Sequence, residues 1–437
     1  MLLAGAGPAL AAATDNDAPP ASVTLSEAIR ITLERSRDLR IAADDVAIAR
    51  EGKVKANARL LPRLDAAADY TTLSQPPSVF INGLQVQTAD QGIFRTRVTA
   101  EQVLYDFGRT RARRSRADAR VDAALEGEDL ARERQAVATI AAFLAAKRAE
   151  ELRGVATESL ATAKAHLKVT QDNYDLGVVA KNDVLASEVA VANAEAVLIA
   201  AENRVELSRS RLALRMGYSG DRSVAPAGGD FPVPREAVPA VTDSVKTALE
   251  KRGEIKARAA AVREAEASVS AARSELTPTL LAQGGHSYET NDFNPHKSVF
   301  SFLVGGKVNL FSGFADEASV REAKAFLESR KEALAQTKDS IALEVKAAHL
   351  SLAEAGKRLT VAKVAVARAE ENLRIQNDRY AEGLSINTEV LDAQTLLTRA
   401  KADEKNATYD LYEDRYGLLF ARGELMEFLA SQAGTSR

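Results

Sequence analysis

The sequence contains no cysteine and no tryptophan. Without thiols there is no disulfide, thiolate metal site, cysteine nucleophile or lipidated N-terminal cysteine. Aromatic residues are only 5% of the chain although 46% is hydrophobic, so the apolar content is mainly alanine, leucine and valine, which favour helix. Proline is also scarce, at 12 of 437 residues, with none in 110–172 or 314–378. Neither sign of charge dominates: 58 basic and 61 acidic residues are interspersed and give a net charge of −3, which offers no stripe to nucleic acid. No uninterrupted apolar run reaches the ~20 residues of a spanning helix. The best, Ala136–Ala146, stops at Lys147 and Arg148. Such a pattern excludes a helical inner-membrane protein and leaves a closed β-barrel as the form of any membrane contact.

Catalytic signatures are missing as well. There is no P-loop, GxGxxG turn or HExxH helix, and His166, His286, His296 and His349 are too scattered to suggest a metal site. They read as surface or interface residues. AspPheGly at Asp106 has neither a glycine-rich loop nor an HRD run beside it and lies at a strand-to-helix junction. No enzyme activity, cofactor or metal is expected.

The first residues, 1–22, read as the remnant of a signal peptide: a short apolar run followed by small residues around Ala9–Ala13, without the basic start.

What is present is a tandem duplication. LeuProArgLeu at Leu61–Leu64 recurs as ThrProThrLeu at Thr277–Leu280, with Leu33 and Leu39 falling on Leu249 and Ile255 at the same spacing. A second set aligns Tyr174 with Tyr380, Gly177 with Gly383, Leu185 with Leu391 and Gly217 with Gly423. Each half reads as helix, strand pair, very long helix, tight turn and helix. The first repeat spans 23–218, with a strand pair in 64–107, a long helix over 110–172 and a helix over 181–217. A linker, 219–240, leads to the second repeat, 241–425, with a strand pair in 279–312, a long helix over 314–378 and a helix over 386–423; a tail, 426–437, follows. The opening helix of each repeat is expected unbroken, from Thr24 with its capping-box Glu27 to Pro62, and from about Thr242 to Ser274. A proline-free helix of some sixty residues is on the order of 90 Å long. Leu327, Leu334, Ile341, Ala348, Ala355, Ala362 and Ala369 recur every seven residues, with Val345, Leu352, Leu359, Val366 and Leu373 between them. That is a sustained coiled-coil seam.

Half of the aromatic residues lie within 64–107 and 279–314, where the period changes to alternation. Phe94, Val98, Ala100 and Leu104 oppose Arg95, Arg97, Thr99 and Glu101. Phe300, Phe302, Val304, Val308 and Leu310 oppose Ser301, Lys307 and Asn309, and Leu64, Ala66, Ala68 and Tyr70 oppose Asp65, Asp69 and Thr71. Apolar faces backed by polar ones on strands of ~10 residues are the pattern of a membrane barrel with a wet lumen. A half-buried soluble sheet shows the same alternation. Four strands do not close a barrel, so the chain is expected to oligomerise.

Taken together, the duplication, the LxPxL entries, the LYDFG and LFSG exits at Leu104 and Leu310 and the two YxxG turns resemble the TolC-like outer-membrane efflux family. The resemblance covers Val23 to about Leu425. It implies a mainly α fold with a membrane β-barrel: a homotrimer with a twelve-stranded barrel in outer-membrane lipid, continuous with a periplasmic α-helical barrel closed at its inner end. The implied function is a passive exit duct of a tripartite efflux or type I secretion system, served by a periplasmic adaptor and an inner-membrane pump of ABC, RND or MFS type. At the closed tip, Asp183 and Asn182 stand where the first helix pair's linking residues stand, and Tyr380 where the aromatic partner does, so that a hydrogen bond from Tyr380 to the Asp183 carboxylate is expected to hold the two helix pairs together. Glu389 and Asp392 fall on the constriction carboxylates. The family's linking arginine falls on Ser385, with Arg379 near enough in sequence to replace it. A periplasmic adaptor would carry one hairpin and no duplication, and a coiled-coil scaffold would carry no alternating strands.

Overall fold

A computed structural model of the chain describes residues 19–219, 221–227, 233 and 238–435. The signal-peptide reading of 1–22 falls almost wholly outside them. In chain order the elements are β1 (Ser22–Val23), α1 (Leu25–Arg35), α2 (Arg37–Asn57), β2 (Arg63–Thr72), β3 (Ser78–Ile81), β4 (Leu84–Gln87), β5 (Gly92–Tyr105), α3 (Arg109–Asp175) and α4 (Lys181–Arg215). There follow β6 (Ala225–Pro226), α5 (Val241–Lys251), α6 (Gly253–Ser274), β7 (Thr279–Glu289), β8 (Ser298–Lys307), α7 (Ala315–Ala381), α8 (Asn387–Ala421) and α9 (Leu425–Thr435). The duplication is written in the lengths: α3 and α7 have 67 residues each, α4 and α8 have 35 each, and α1 and α5 have 11 each.

Three elements differ from expectation. The opening helix of each repeat is broken, at Ser36 and at Arg252. The cause is tertiary: the glycine that ends α4 approaches the first break so closely that a Cβ on Gly217 would lie 2.9 Å from the Arg35 carbonyl oxygen, and one on Gly423 would lie 3.1 Å from the Arg252 nitrogen. Both glycines have positive φ, +85° and +72°, which side-chain-bearing residues rarely adopt. Beside them the Arg35 guanidinium covers the Tyr218 ring and that of Arg252 covers the Phe420 ring. The region expected as a C-terminal tail forms α9 because Leu425 is fully buried and Met426, Phe428 and Leu429 pack on the core. Finally, the window 64–107 holds an extra hairpin, β3–β4, turning at Asn82–Gly83.

The chain divides into two compact units. One, drawn from Arg40–Leu130 and Gly253–Ser340, holds a four-stranded antiparallel sheet of order β2-β5-β7-β8. Its register sets two faces. Ala66 pairs with Val98, Val98 with His286 and His286 with Phe300, while Leu64 pairs with Ala100, Ala100 with Gly284 and Gly284 with Phe302. Because pairing partners share a face, the opposite one carries Arg63, Asp65, Asp69, Arg95, Arg97, Glu101, Glu289 and Lys307. Phe300 and Phe302 are about as exposed as side chains become, at 82% and 78%. The long helix α3 is launched by Asp106, whose carboxylate accepts from the backbone nitrogen of Thr110 at 2.7 Å, so the AspPheGly run is a helix cap. Arg109 donates to the carbonyls of Ser274, Glu275 and Thr277, tying α3 to the C-terminal end of α6.

The other unit takes the described residues up to Leu39, Ala131–Arg252 and the chain from Ile341 onward. Its core gathers Leu25, Ile29, Ile140, Phe143, Leu144, Leu212, Met216, Tyr416 and Leu425, and β1 pairs in parallel with β6 at its edge. One helix among the described residues, α4, is long and apolar enough to cross a membrane by length and composition, with a window of mean hydropathy 1.7. It holds no unbroken apolar run, because Glu188 and Glu195 interrupt it. Glu195 pairs with Lys164 of α3 at 2.9 Å, an ion pair that lipid would penalise.

Candidate functional site: the helix-turn-helix tip

The tip is formed where α3 turns into α4 and α7 into α8. Both turns close in the same way. Gly177 and Gly383 have positive φ, their nitrogens donate to Tyr174 and Tyr380, and the following residues donate to Asn173 and Arg379, a Schellman cap on each long helix. A small apolar cluster of Leu373, Tyr380, Val390 and Ala393, with Val179 and Leu397 against it, packs the two hairpins together.

The polar link between the hairpins differs from the one expected. Tyr380 is buried, its hydroxyl has no hydrogen-bond partner, and its ring lies 5.3 Å from the His166 ring. The expected bond from Tyr380 to the Asp183 carboxylate is therefore not formed. In its place Asn387, first residue of α8 and 2% exposed, donates through Nδ2 to the Asp183 backbone carbonyl at 2.9 Å. Its Oδ1 lies 2.7 Å from Nε2 of His166 on α3. Ser187 of α4 reaches the same Oδ1 at 3.4 Å and also donates to the Asp183 carbonyl. Asp183 thus contributes backbone, and the carboxamide of Asn387 joins three helices.

The remaining expected residues lie close by. Asn182 is exposed at the start of α4. The Ser385 hydroxyl lies between the Gln376 side chain and the Glu389 carboxylate, which takes its proton, and Arg379 donates to the Leu384 carbonyl within its own turn, so neither links the hairpins in this chain. Glu389 and Asp392 are exposed, one helical turn apart on α8.

His166 is 6% exposed. Burial pushes its imidazole pKa below the ordinary 6.5, opposed by the bond to Asn387. The sequence held a signal for this network in the comparison of its two halves. At the repeat spacing His166 falls on Asn372, Ser187 on Ala393 and Asn387 on Lys181, so none of the three positions keeps its residue in both halves.

The geometry at the tip is an apolar seam with one polar latch, with no nucleophile–base pair in it; among the described residues no cluster suited to a metal ion occurs. The model of the outer membrane efflux protein family matches residues 28–218 and 245–424, the two repeats. The chain belongs to that family. Nodulation protein T of Rhizobium leguminosarum bv. trifolii is 20% identical over 371 residues, 80% of this chain and 78% of that protein. Among solved structures, a membrane protein from Pseudomonas aeruginosa superposes with a TM-score of 0.80 at 19% identity, covering 92% of this chain and 91% of that one. VceC of Vibrio cholerae gives 0.75 at 20%, covering 91% and 96%. The open state of MtrE from Neisseria gonorrhoeae gives 0.73 at 22%, covering 92% and 89%. The chain is accordingly an outer-membrane efflux or secretion duct extending into the periplasm, and of the relatives MtrE is an outer-membrane channel.

If the tip is the gate of the duct, the balance between a packed and a parted form is pH-dependent. Burial disfavours the protonated imidazole of His166 in the packed form, and a parted tip would return it to water. A lowered pKa in the packed state means that its stability is complete above about pH 6.5 and falls as pH drops below it. Open-state occupancy in planar bilayers is expected to rise between pH 7.5 and pH 5 in the wild type and to stay flat in His166→Gln, which keeps a hydrogen-bonding group but cannot titrate.

Proposed function

We propose that three copies of this chain form one conduit, a twelve-stranded barrel in the outer membrane with a helical tunnel below it, working with a periplasmic adaptor and an inner-membrane pump. The observation that carries this reading is the sheet. One face is apolar and exposed, the other is charged, and the terminal strands β2 and β8 each have a free edge within the sheet. Exposed edges of this kind are a liability unless paired. Strand directions alternate from β2 to β8, so β8 of one copy meets β2 of the next in antiparallel sense, and three copies close with an even count. In the single chain Leu185, Val189, Val197 and Ile199 of α4 are exposed, as an interface between protomers would require.

The test is cysteine pairing in this cysteine-free background. Cysteines scanned along β2 (Leu64, Ala66, Ala68) and β8 (Phe300, Phe302, Val304) should give, for at least one pair, a ladder that ends at three chains. Monomers throughout, or ladders that run past three, would contradict threefold closure.

The two turns display Leu176 and Val178, and Leu384 and Ile386, each 64% exposed or more. Repeated on both hairpins of three protomers, these apolar knobs suit a surrounding adaptor. Glu389 and Asp392 would place six carboxylates about the threefold axis, a field that favours cations and binds polyvalent ones. Glu389→Gln with Asp392→Asn should therefore lower the cation-to-anion permeability ratio in bilayers and leave pore width nearly unchanged.

A further inference from the structure

Where the sheet joins the helices, the first repeat carries a charge of one sign. Arginine occupies positions 109, 111, 113, 114, 116 and 120 of α3, and the first turn of that helix has no acidic residue. Cations at a helix start oppose its dipole, so helix formation does not account for them. Arg109, Arg113, Arg116 and Arg120 recur at helical spacing on one face. That face meets α6: Arg109 holds its carbonyls, Arg113 pairs with Glu275, and Arg116 borders a cleft with Glu264. Arg111 and Arg114 leave the helix elsewhere and are exposed, as are Lys55 near the end of α2 and Arg59 just after it. Among the described residues none of these four has an ion pair or a hydrogen bond.

The duplication shows that the fold does not need them. At the repeat spacing Lys55, Arg59, Arg111 and Arg114 fall on Ala271, Glu275, Glu317 and Val320. The second repeat thus builds a long helix of the same length with no cation at any of the four positions.

The apolar face of the sheet ends at the same level. Gln102 of β5 donates to the Leu60 carbonyl at 3.3 Å, which sets Arg59 beside the end of that strand. A β-bulge between Val103 and Tyr105 breaks the alternation and pairs Tyr105 with Leu280, on the face of Gly284 and Phe302. Tyr105 and Phe107 are both more than half exposed and meet edge to face, their centroids 4.7 Å apart. Exposed aromatics closing an apolar strand face mark the boundary between hydrocarbon and water, the level of lipid headgroups. Guanidinium groups at that level match phosphate oxygens in charge and geometry. A zwitterionic headgroup carries its own cation, so the unpaired charges select a lipid with net negative charge.

We infer that Lys55, Arg59, Arg111 and Arg114 bind the phosphates of anionic phospholipid in the leaflet at the helix end of the barrel. The inference rests on the barrel reading of the sheet.

The experiment uses the full chain in phosphatidylcholine nanodiscs containing either phosphatidylglycerol or phosphatidylcholine with a photoreactive group near the phosphate and identical chains. Labelled peptides are located by mass spectrometry. Peptides within 55–61 and 104–114 should take about fivefold more label from phosphatidylglycerol, while those of β7 and β8 take both lipids equally. Salt at about 1 M should bring the ratio close to one. The combined variant Lys55→Gln, Arg59→Gln, Arg111→Gln and Arg114→Gln should do the same with strand labelling unchanged, which shows that the sheet still stands in lipid. Arg59→Lys with Arg111→Lys and Arg114→Lys should keep most of the preference. Strand labelling with no preference at 55–61 and 104–114, a preference retained in the glutamine variant, or one abolished by excess glycerol phosphate in solution would overturn this inference and leave the barrel standing. Absence of label from both lipids, on the strands as elsewhere, would overturn the barrel as well.

Discussion

Phe302→Arg should abolish assembly into the outer membrane, whereas Ser301→Arg, one residue away, should leave it close to wild type. The two side chains leave the same strand on opposite faces: Phe302 pairs with Gly284 on the apolar face and Ser301 with Gly285 on the charged one. A guanidinium at the lipid midplane costs ~2–4 kcal/mol, and in the proposed trimer that cost would recur three times in one barrel. The same group in a wet lumen costs little, because water and the carboxylates on that face solvate it. Gly284 leaves open space where a side chain would stand, so no local clash confuses the comparison. The amount of folded, heat-modifiable protein in outer-membrane fractions is the measurement. Equal yields would show that the faces are assigned wrongly or that the sheet does not meet lipid.

The second large effect is at the latch. Asn387→Ala removes the bond to the Asp183 carbonyl and strands the His166 nitrogen in a buried site, while Ser187 keeps its bond to that carbonyl. Leaving buried polar groups unpaired costs about 1–3 kcal/mol, and about 2 kcal/mol shifts a two-state balance on the order of thirtyfold. The parted tip should therefore become readily populated. Cells expressing the variant should take up a hydrophilic dye too large for ordinary porins, while Tyr380→Phe, which removes a hydroxyl that makes no hydrogen bond, should remain tight. A tight Asn387→Ala variant, or a leaky Tyr380→Phe variant, would return the latch to the tyrosine.

The contrast between these residues shows what the sequence could reveal. The duplication, the long helices and the two-faced strands were legible because each is a periodic signal repeated in two halves. Phe300 and Phe302 announce their face by alternation alone. The breaks at Ser36 and Arg252 fall in polar runs, Glu34–Asp38 and Glu250–Glu254, which an exposed helix face also carries, and no proline marks them; they are imposed by the approach of Gly217 and Gly423 from other helices. Helix α9 lay hidden for a similar reason, since its short apolar run gains meaning only against the core around Tyr416. At the tip, transferring roles from a family pattern put the weight on the Asp183 carboxylate and the Tyr380 hydroxyl. The structure gives it to the Asp183 carbonyl and to Asn387, and His166 reads in the sequence as a surface residue, as a lone histidine in a helix usually is. The extra hairpin β3–β4 fell inside a window read as one strand pair, although Asn82–Gly83 is a strong turn signal.

The central claim is that the chain itself makes a pore through the outer membrane. Its most direct measurement is the electrical conductance of planar lipid bilayers after addition of the purified wild-type protein. The account predicts discrete, uniform current steps, each the insertion of one trimeric duct, with a preference for cations. Bilayers that stay insulating at protein concentrations where native mass measurement finds intact trimers would contradict it.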